Sequence, residues 1–308
     1  MSPRRNRRVL LTHLPLLALL AAMLLLPKQR PTVREPWAML VALAVIEGLF
    51  LLCILRQEKK GCLQTGACDI MLFVWMVMLV WELAASVFHV VHPVLVPAPE
   101  NVFDTFREQG RVLLLNVVYS MELLVVGFFT GMAAAVALGL AAGWFPRVRD
   151  FAYPIANVMA PIPAVVFSPY LVAVMPSFRS ASVTVIVLGV FWPTFLTTIN
   201  RVTSMDQRIL DSARMLNLSN ATMIGRVLLP YILPGLVSGL RVSVTTSVLM
   251  LNFAELMGAT HGMGYYIQNS ITYANYTHAV AGIITIGIVV TILSGLVTLV
   301  QRKAIKWK

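Results

Sequence analysis

A series of long apolar stretches constrains the fold of this chain more than any other feature of its sequence. A helix needs about 20 mostly apolar residues to cross the hydrocarbon core of a bilayer, because each residue adds about 1.5 Å along the axis. The sequence predicts eight such spans, of which the fifth is irregular: 9–26, 36–55, 70–91, a run from Arg111 to Gly143, 151–175, 181–199, 230–256 and 279–300. Since a backbone in lipid must satisfy its own hydrogen bonds, we expect an all-α integral membrane protein.

Composition excludes an ordinary soluble domain. Of the 308 residues, 58% are hydrophobic and only 12% are charged, whereas an average soluble domain has about 25% charged residues. The net charge of +11 is compatible with nucleic-acid binding. However, the lysines and arginines lie between apolar stretches rather than on one basic face, so we expect a lipid bilayer and no nucleic acid as partner.

The distribution of positive charge predicts the orientation of the spans. With the N-terminus inside, seventeen of the 24 lysines and arginines fall in cytoplasmic segments and six in external ones. Cytoplasmic loops are enriched in these residues, so both termini and the polar segment 205–229 are expected in the cytoplasm. Arg241 is the exception, because it falls within a span.

The first apolar stretch, residues 9–26, is either a cleaved signal peptide or a retained span. No small-x-small cleavage site follows it and its length suffices for a span, so we expect it to be retained. Residues 1–68 would then be an N-terminal extension with two extra spans, and residues 69–308 a core of six. We expect the extension to pack at the periphery, with partner contact or assembly as the alternative.

One polar segment, residues 205–229, predicts a binding surface. It is interpreted as two short helices, with Asp206 placed to cap the first and Ser219 the second. Asn217 lies where the first helix should end, because asparagine tolerates the left-handed conformation found there. The first helix repeats apolar residues at i, i+4 and i+7, namely Ile209, Ala213 and Leu216. A plain solvated loop rarely carries two capped helices, so we favour a surface for a soluble partner.

Prolines mark breaks in two places. Pro230 and Pro234 follow the polar segment, and we expect the next span to begin there. Residues 161–169 contain three prolines within nine residues, which leaves backbone carbonyls without helical partners. At membrane depth this is tolerated where the segment is buried or lines a water-filled cavity. A substrate path and a kinked structural helix both remain open interpretations.

Several short motifs resemble one transporter family. They are Pro97-Ala98-Pro99-Glu100-Asn101, Pro161-Ile162-Pro163, Asp211-Ser212-Ala213, Leu216-Asn217, Leu229-Pro230, Pro234-Gly235, Gly239-Leu240-Arg241, Ala254-Glu255, Gly258-Ala259 and Gly262-Met263-Gly264-Tyr265. Together they are similar to the permease subunits of binding-protein-dependent (type I) ABC importers, in the sulfonate, nitrate and taurine branch, over roughly residues 93–308. Two positions depart from the family's pattern, since Asp211-Ser212 replaces Glu-Ala and Asn217 replaces Gly.

The resemblance implies that this chain works with several others. It would form the pathway for a small anionic solute, together with a second permease copy, two ATPase subunits in the cytoplasm and an external solute-binding protein. ATP and magnesium would be bound by the ATPase subunits, and this chain contains no G-x-x-x-x-G-K-[ST] stretch of its own. Coupling to the ATPase would fall to Arg208, Ile209, Asp211, Ala213, Arg214, Leu216 and Asn217.

Candidate pathway or gate residues are less specific. Glu255 matches a family position and lies in an apolar span, where a carboxylate is costly. We expect it to have a structural or gating role and consider Arg241 as its partner. The Gly-rich segment 257–267 adds further candidates, although aromatic residues are common at membrane interfaces. The full set is Pro161, Pro163, Glu255, His261 and Tyr265.

Two other classes of protein compete with the interpretation as a transport subunit without enzymatic activity. An ion-coupled transporter or channel would use buried acids such as Glu82, Glu122 or Glu255 and would need no cytoplasmic partner. The 205–229 segment argues against it. An intramembrane enzyme would need a catalytic motif, and no H-E-x-x-H or G-x-S-x-G occurs in the spans. The cysteines and histidines lack metal-ligand spacing. A bacterial inner membrane is the expected location.

Overall fold

The computed structural model describes residues 3–26, 33–59, 65–88 and 90–304, and within these ranges the chain is all-helical. Its α-helices are α1 Pro3–Leu25, α2 Trp37–Lys59, α3 Thr65–Glu82, α4 Pro99–Trp144, α5 Pro146–Met159, α6 Ser168–Val174, α7 Phe178–Thr203, α8 Gln207–Met215, α9 Asn220–Thr222, α10 Leu229–Leu256, α11 Met263–Thr272 and α12 Tyr276–Ala304. Single π-helical segments follow α3 and α9, and a 3₁₀ turn precedes α6. The all-α expectation is confirmed.

Six helices of the described chain are long and apolar enough to cross a membrane. They cover Trp37–Leu55, Gly66–Val87, Pro99–Trp144, Phe178–Thr203, Asn220–Leu256 and Tyr276–Lys303. The pair Pro146–Met159 and Ala164–Val174 makes a seventh if it counts as one broken span. In α1 the apolar part, Leu11–Leu25, is shorter than a span. The expected count of eight is therefore not confirmed.

By its internal contacts the chain divides into two compact units. The first contains Met1–Leu113 and Asn269–Ile283, and the second contains Leu114–Gln268 and Ile284–Lys308. In the first unit, α1, α2, α3 and the start of α4 enclose a core around the fully buried Leu19, Met39 and Trp75. The expected boundary between extension and core at residues 68–69 stays a prediction.

Within the second unit, α4 and α7 pack unusually close together. Every fourth residue of α4 is small along this seam: Gly127, Gly131, Ala135, Gly139 and Gly143. A Cβ on Gly139 would lie 2.7 Å from the Cβ of Thr198, and one on Gly143 would lie 2.6 Å from that of Val202. Small residues at this spacing let two helix backbones approach inside a membrane. Both contacts pair residues of the same sequence separation, so α4 and α7 run parallel.

Helices α7, α10 and α12 then alternate in direction. Arg201, near the end of α7, donates to the carbonyl of Gly235 near the start of α10 (3.3 Å). Near the end of α12, Gln301 donates to the carbonyl of Val237 (2.8 Å). The C-terminal ends of α7 and α12 therefore lie beside the N-terminal part of α10. One side of this unit consequently collects basic residues at helix ends: Arg147, Arg149, Arg201, Arg226, Arg302 and Lys303.

The prolines act differently at the two predicted breaks. At Pro161–Pro163 the chain bends by 84° between α5 and the helical stretch that follows, as the irregular fifth span predicts. At Pro230, by contrast, the helix is not broken, although the regular α-helix α10 does begin there, at Leu229, as expected. One helix continues from Asn220 to Leu256, with a π-helical segment, Met223–Leu228, just before the proline. A proline has no N–H to donate and its ring clashes with the carbonyl of a regular α-turn, and a π turn changes that local geometry.

The α4–α7 seam yields a first testable prediction. Gly139→Val is expected to destabilise the protein by about 1–3 kcal/mol, because the added carbons would force two packed helices apart. The measurement is thermal unfolding of the detergent-purified chain. Gly287→Val is the matched control, since a Cβ at Gly287 in α12 would meet no atom within 4 Å. Equal unfolding temperatures for both variants would contradict the close packing.

Candidate functional site

The polar segment folds locally as its sequence predicts. The Asp206 carboxylate accepts a hydrogen bond from the backbone N–H of Arg208 (2.9 Å) and caps α8. Ser219 accepts from the N–H of Thr222 (3.3 Å) and caps the next helix. Asn217, with φ of 49°, takes the left-handed conformation just after α8. Both caps and the helix-ending residue are confirmed.

The apolar residues of α8 separate into an inner and an outer group. Ala213 is only 7% exposed and belongs to a core with Leu140, Met223 and Leu228, so it anchors α8 to its own chain. Ile209 is 41% exposed and Leu216 is 72% exposed. Leu216 does not share the face of Ala213, because α8 ends at Met215 and its 3.6-residue repeat stops before Leu216. Ile209, one turn before Ala213 on the same face, lies at the exposed end of α8.

A residue that the periodicity missed completes the outer group. Met215 is 86% exposed and lies next to Leu216 at the tip of α8. We call Ile209, Met215, Leu216 and Asn217 the loop surface. The sequence signal that could have identified Met215 is the pair of adjacent large apolar residues, Met215 and Leu216, within a polar segment. Whether the loop surface contacts an ATPase stays a prediction at this point.

Polar residues surround the loop surface. Arg208 and Asp211 are exposed, and Asp211 accepts a hydrogen bond from Gln207 (3.2 Å). The side chain of Arg214 lies outside the described residues. Beside the loop surface is an open concavity of about 650 Å³, lined by Trp144, Phe145, Pro146, Asn217, Leu218 and Asn220. The Trp144 indole N–H donates to Asn220 (3.0 Å), which ties the end of α4 to this region.

A second polar cluster is buried at the other end of α10. The fully buried Glu255 accepts a hydrogen bond from the Ser120 hydroxyl (2.7 Å) and another from the N–H of Gly264 (2.8 Å). Ser120 also accepts from the N–H of Met263 (2.9 Å), and Asn116 accepts from the N–H of Gly262 (2.8 Å). Together these side chains cap the N-terminus of α11, whose first N–H groups have no partner within the helix.

This cluster gives Glu255 a defined structural task. Its two oxygens accept from Ser120 and Gly264 rather than from Arg241, which was considered as a partner. A negative carboxylate also complements the positive end of the helix dipole. Gly262 has φ of 117°, and a Cβ there would overlap the Glu255 carboxylate. Sequence reasoning missed Asn116 and Ser120, although two polar residues spaced four apart in an apolar helix were a usable signal.

The remaining candidates lie near the same end of the second unit. Pro161 and Pro163 are exposed at the bend, and the next residue, Ala164, shares a buried cluster with Ala254, the neighbour of Glu255. The ring of the exposed His261 lies 5.6 Å from that of Tyr119. Tyr265 is partly buried. The structure thus groups these residues around the α10–α11 turn, and their pathway or gate role stays a prediction.

Acidic residues considered for ion coupling are engaged in other contacts. The exposed Glu122 pairs with Arg179 across α4 and α7. In the first unit, Ser86 lies between the buried Glu82 and Glu100 and donates to Glu100 at 2.9 Å. Among the described residues, no three His, Cys, Asp or Glu side chains come together as metal ligands. Neither cluster resembles a continuous chain of acids across the spans.

Comparison with known proteins identifies relatives over most of the chain. Residues 127–306 match the family described as "Binding-protein-dependent transport system inner membrane component". SsuC of Bacillus subtilis (strain 168), named for aliphatic sulfonates transport, is 26% identical over 254 residues, which cover 82% of this chain and 92% of SsuC. The taurine transport system permease protein TauC of Escherichia coli (strain K12) is 26% identical over 257 residues, covering 81% of this chain and 91% of TauC.

A solved structure shares the fold. It is a chain from the inward-facing conformations of the MetNI methionine ABC transporter, with a TM-score of 0.50 and 17% sequence identity. The similarity covers 65% of this chain and 96% of that one. At this level of identity the likeness concerns the fold alone.

Proposed function

This chain belongs to the binding-protein-dependent transport system inner membrane components, in their sulfonate, nitrate and taurine branch, and we infer that it forms the solute pathway of an ATP-driven importer. The family resemblance noted in the sequence is confirmed. The chain is a transport subunit in a multi-pass membrane protein family. The relatives named for sulfonates and taurine support a small anionic solute of the sulfonate, taurine or nitrate kind.

Coupling to ATP would occur through the loop surface. The observation that carries this proposal is a capped helix, α8, which is anchored from inside by Ala213 and exposes Ile209, Met215 and Leu216. Large exposed apolar side chains outside the membrane spans are typical of a protein interface. A separate ATPase subunit would cover them and would bind the ATP and magnesium.

The packing of α8 supports a mechanical link to the spans. Ala213 shares its core with Met223 and Leu228, which belong to the helix that continues into α10. Close packing makes such a cluster move as a body rather than deform continuously. Closure of two ATPase subunits on ATP would displace two copies of α8, and the attached spans would rock between inward- and outward-open states.

The proposed assembly contains two copies of this chain, two ATPase subunits and an external solute-binding protein. Both termini would lie in the cytoplasm of a bacterium, with the chain in its inner membrane. The basic helix ends gathered on one side of the second unit, among them Arg147, Arg201 and Arg302, support this orientation, because cytoplasmic segments are enriched in arginine and lysine.

Pull-down of the tagged chain from detergent-solubilised native membranes tests the proposal. We expect a P-loop ATPase in equal amount to the permease, together with a solute-binding protein that can be screened against sulfonates, taurine and nitrate. A chain that purifies alone and moves solute without ATP would instead support the ion-coupled transporter.

A further inference from the structure

An arginine lies inside the α10 span at a place that neither α8 nor the Glu255 cluster explains. Arg241 is exposed on the described surface. Along the helix it lies about 9 Å beyond Gly235, which contacts Arg201 near the end of α7, and about 22 Å before the last residue of α10. Its position is therefore inside the apolar span, beyond the level at which the basic helix ends gather. Charged side chains at such positions usually face a bundle interior or water.

The exposed surface of α10 is divided into two strips. Ser238, Arg241 and Thr245 follow one another at i, i+3 and i+7 and form a polar strip, in which Ser238 and Arg241 are exposed and Thr245 is half-buried. Val242, Leu249 and Phe253, at i, i+7 and i+11, form a mostly apolar strip beside it, and all three are exposed. Thr246, at i+4, is the one polar residue of this strip and is exposed too. A helix surrounded by lipid alone would gain nothing from this separation. Two strips indicate two environments, with lipid against the apolar one.

The chemistry of the polar strip favours an anion as the group bound there. The hydroxyl of Ser238 donates to the carbonyl of Gly235 (2.8 Å), and that of Thr245 donates to the carbonyl of Arg241 (2.9 Å). Their protons are therefore used within the helix. The guanidinium of Arg241 remains the charged donor of the strip, and its planar fork of N–H groups matches sulfonate, carboxylate or nitrate oxygens.

We propose that Ser238, Arg241 and Thr245 line the water-filled solute path and that Arg241 binds the anionic group of the solute as it passes. The assignment of an anionic solute rests on the proposed function above. The water-lined strip rests on the geometry of α10. In the proposal, Arg241 faces water within the span, whereas an arginine without this role would extend along the helix to the membrane surface.

Cysteine accessibility tests whether the strip faces water. In the full chain, with Cys53, Cys62 and Cys68 replaced by serine, Thr245→Cys and Val242→Cys are compared for reaction with a water-soluble methanethiosulfonate. Thr245 lies deeper than Val242, counted from Gly235, so depth alone would favour reaction at position 242. We expect Thr245→Cys to react at least about tenfold faster, because thiolates form in water and not against lipid. A faster or equal reaction at position 242 would overturn the proposal.

A second measurement tests whether Arg241 attracts anions. The reaction rate of Thr245→Cys is measured with an anionic sulfonate-bearing reagent and with a cationic ammonium-bearing reagent, first with Arg241 present and then with Arg241→Gln. One unit charge about 6 Å away changes the ratio of the two rates by about tenfold even at the dielectric constant of water. We therefore expect the anionic-to-cationic ratio to fall about tenfold in Arg241→Gln and to be largely retained in Arg241→Lys.

The control removes the same charge from a distant place. Arg226→Gln lies more than about 25 Å along the helix from position 245, beyond the screening length in physiological salt, so the ratio should not change. An unchanged ratio in Arg241→Gln, or an equal fall in Arg226→Gln, would overturn the role of Arg241. Neither measurement uses ATP or a solute-binding protein. A permease that purifies without an ATPase would therefore contradict the proposed function. It would not decide whether the polar strip faces water or whether Arg241 attracts anions.

Discussion

Glu255→Ala is expected to destabilise the protein by about 3 kcal/mol and to abolish transport, because it leaves buried donors without acceptors. The N–H of Gly264 and the hydroxyl of Ser120 both donate to this carboxylate, and water has no ready access to a fully buried side chain. The N-terminus of α11 would lose its cap. Since α11 connects α10 to α12, we expect the change to displace the turn that holds His261 and the first residues of α11, among them Tyr265.

Thermal unfolding of the detergent-purified chain measures the loss of stability. Glu122→Ala is the matched control, because it removes the same group from an exposed ion pair with Arg179, and such pairs contribute about 1 kcal/mol or less. Glu255→Gln should fall between wild type and Glu255→Ala, since an amide keeps one acceptor but turns its NH₂ toward the second donor. If Glu255→Ala unfolded at the same temperature as Glu122→Ala, the capping role would be wrong.

Leu216→Arg is expected to weaken binding of the ATPase by about 2 to 3 kcal/mol, roughly 30- to 150-fold, without unfolding the chain. Leu216 is 72% exposed, so its replacement costs little within the permease. In the proposed complex it would be buried, and the variant would lose that apolar area and place a charge in the interface. ATP-driven transport should therefore stop although the permease still inserts into the membrane.

The amount of ATPase that co-purifies with the tagged permease, measured over a range of ATPase concentrations, reports this binding. Gln207→Arg is the control, since it adds the same charge to an exposed position at the opposite end of α8. Thermal unfolding should be unchanged in both variants. Undiminished co-purification of the ATPase with Leu216→Arg would exclude the loop surface as the docking site.

The membrane spans were predictable because they follow from one local property. An apolar run of sufficient length must form a helix in lipid whatever its neighbours are. The caps at Asp206 and Ser219 were predictable for a similar reason, since each forms a hydrogen bond within three residues of the chain. The start of α10 at Leu229 was predictable from the proline that follows it, whereas the π-helical segment Met223–Leu228 before it was not, because no residue type specifies a π turn.

Residues that act through distant partners could not be found in this way. Ala213 matched an outward-facing pattern, yet it is buried against Met223 and Leu228, because periodicity shows which residues share a helix face and not which way that face points. Glu255 was recognised as costly in a span, but its partner Ser120 is 135 residues away in the sequence. The prediction of eight spans counted apolar runs in the sequence. In the structure, six of the described helices are long and apolar enough to cross a membrane, or seven if the bent pair is one span.

The sequence by itself determined the class of this protein: a helical membrane protein of the binding-protein-dependent transport family, with a capped polar segment between spans. Hydropathy, helix capping and short motifs suffice for that, since each acts over a few neighbouring residues. Only the tertiary structure decided which side of α8 is anchored, what Glu255 binds, and that the surface of α10 is divided into a polar and an apolar strip. Those outcomes depend on which helices meet, and the close approach of α4 and α7 through Gly139 and Gly143 is set by packing over the whole unit.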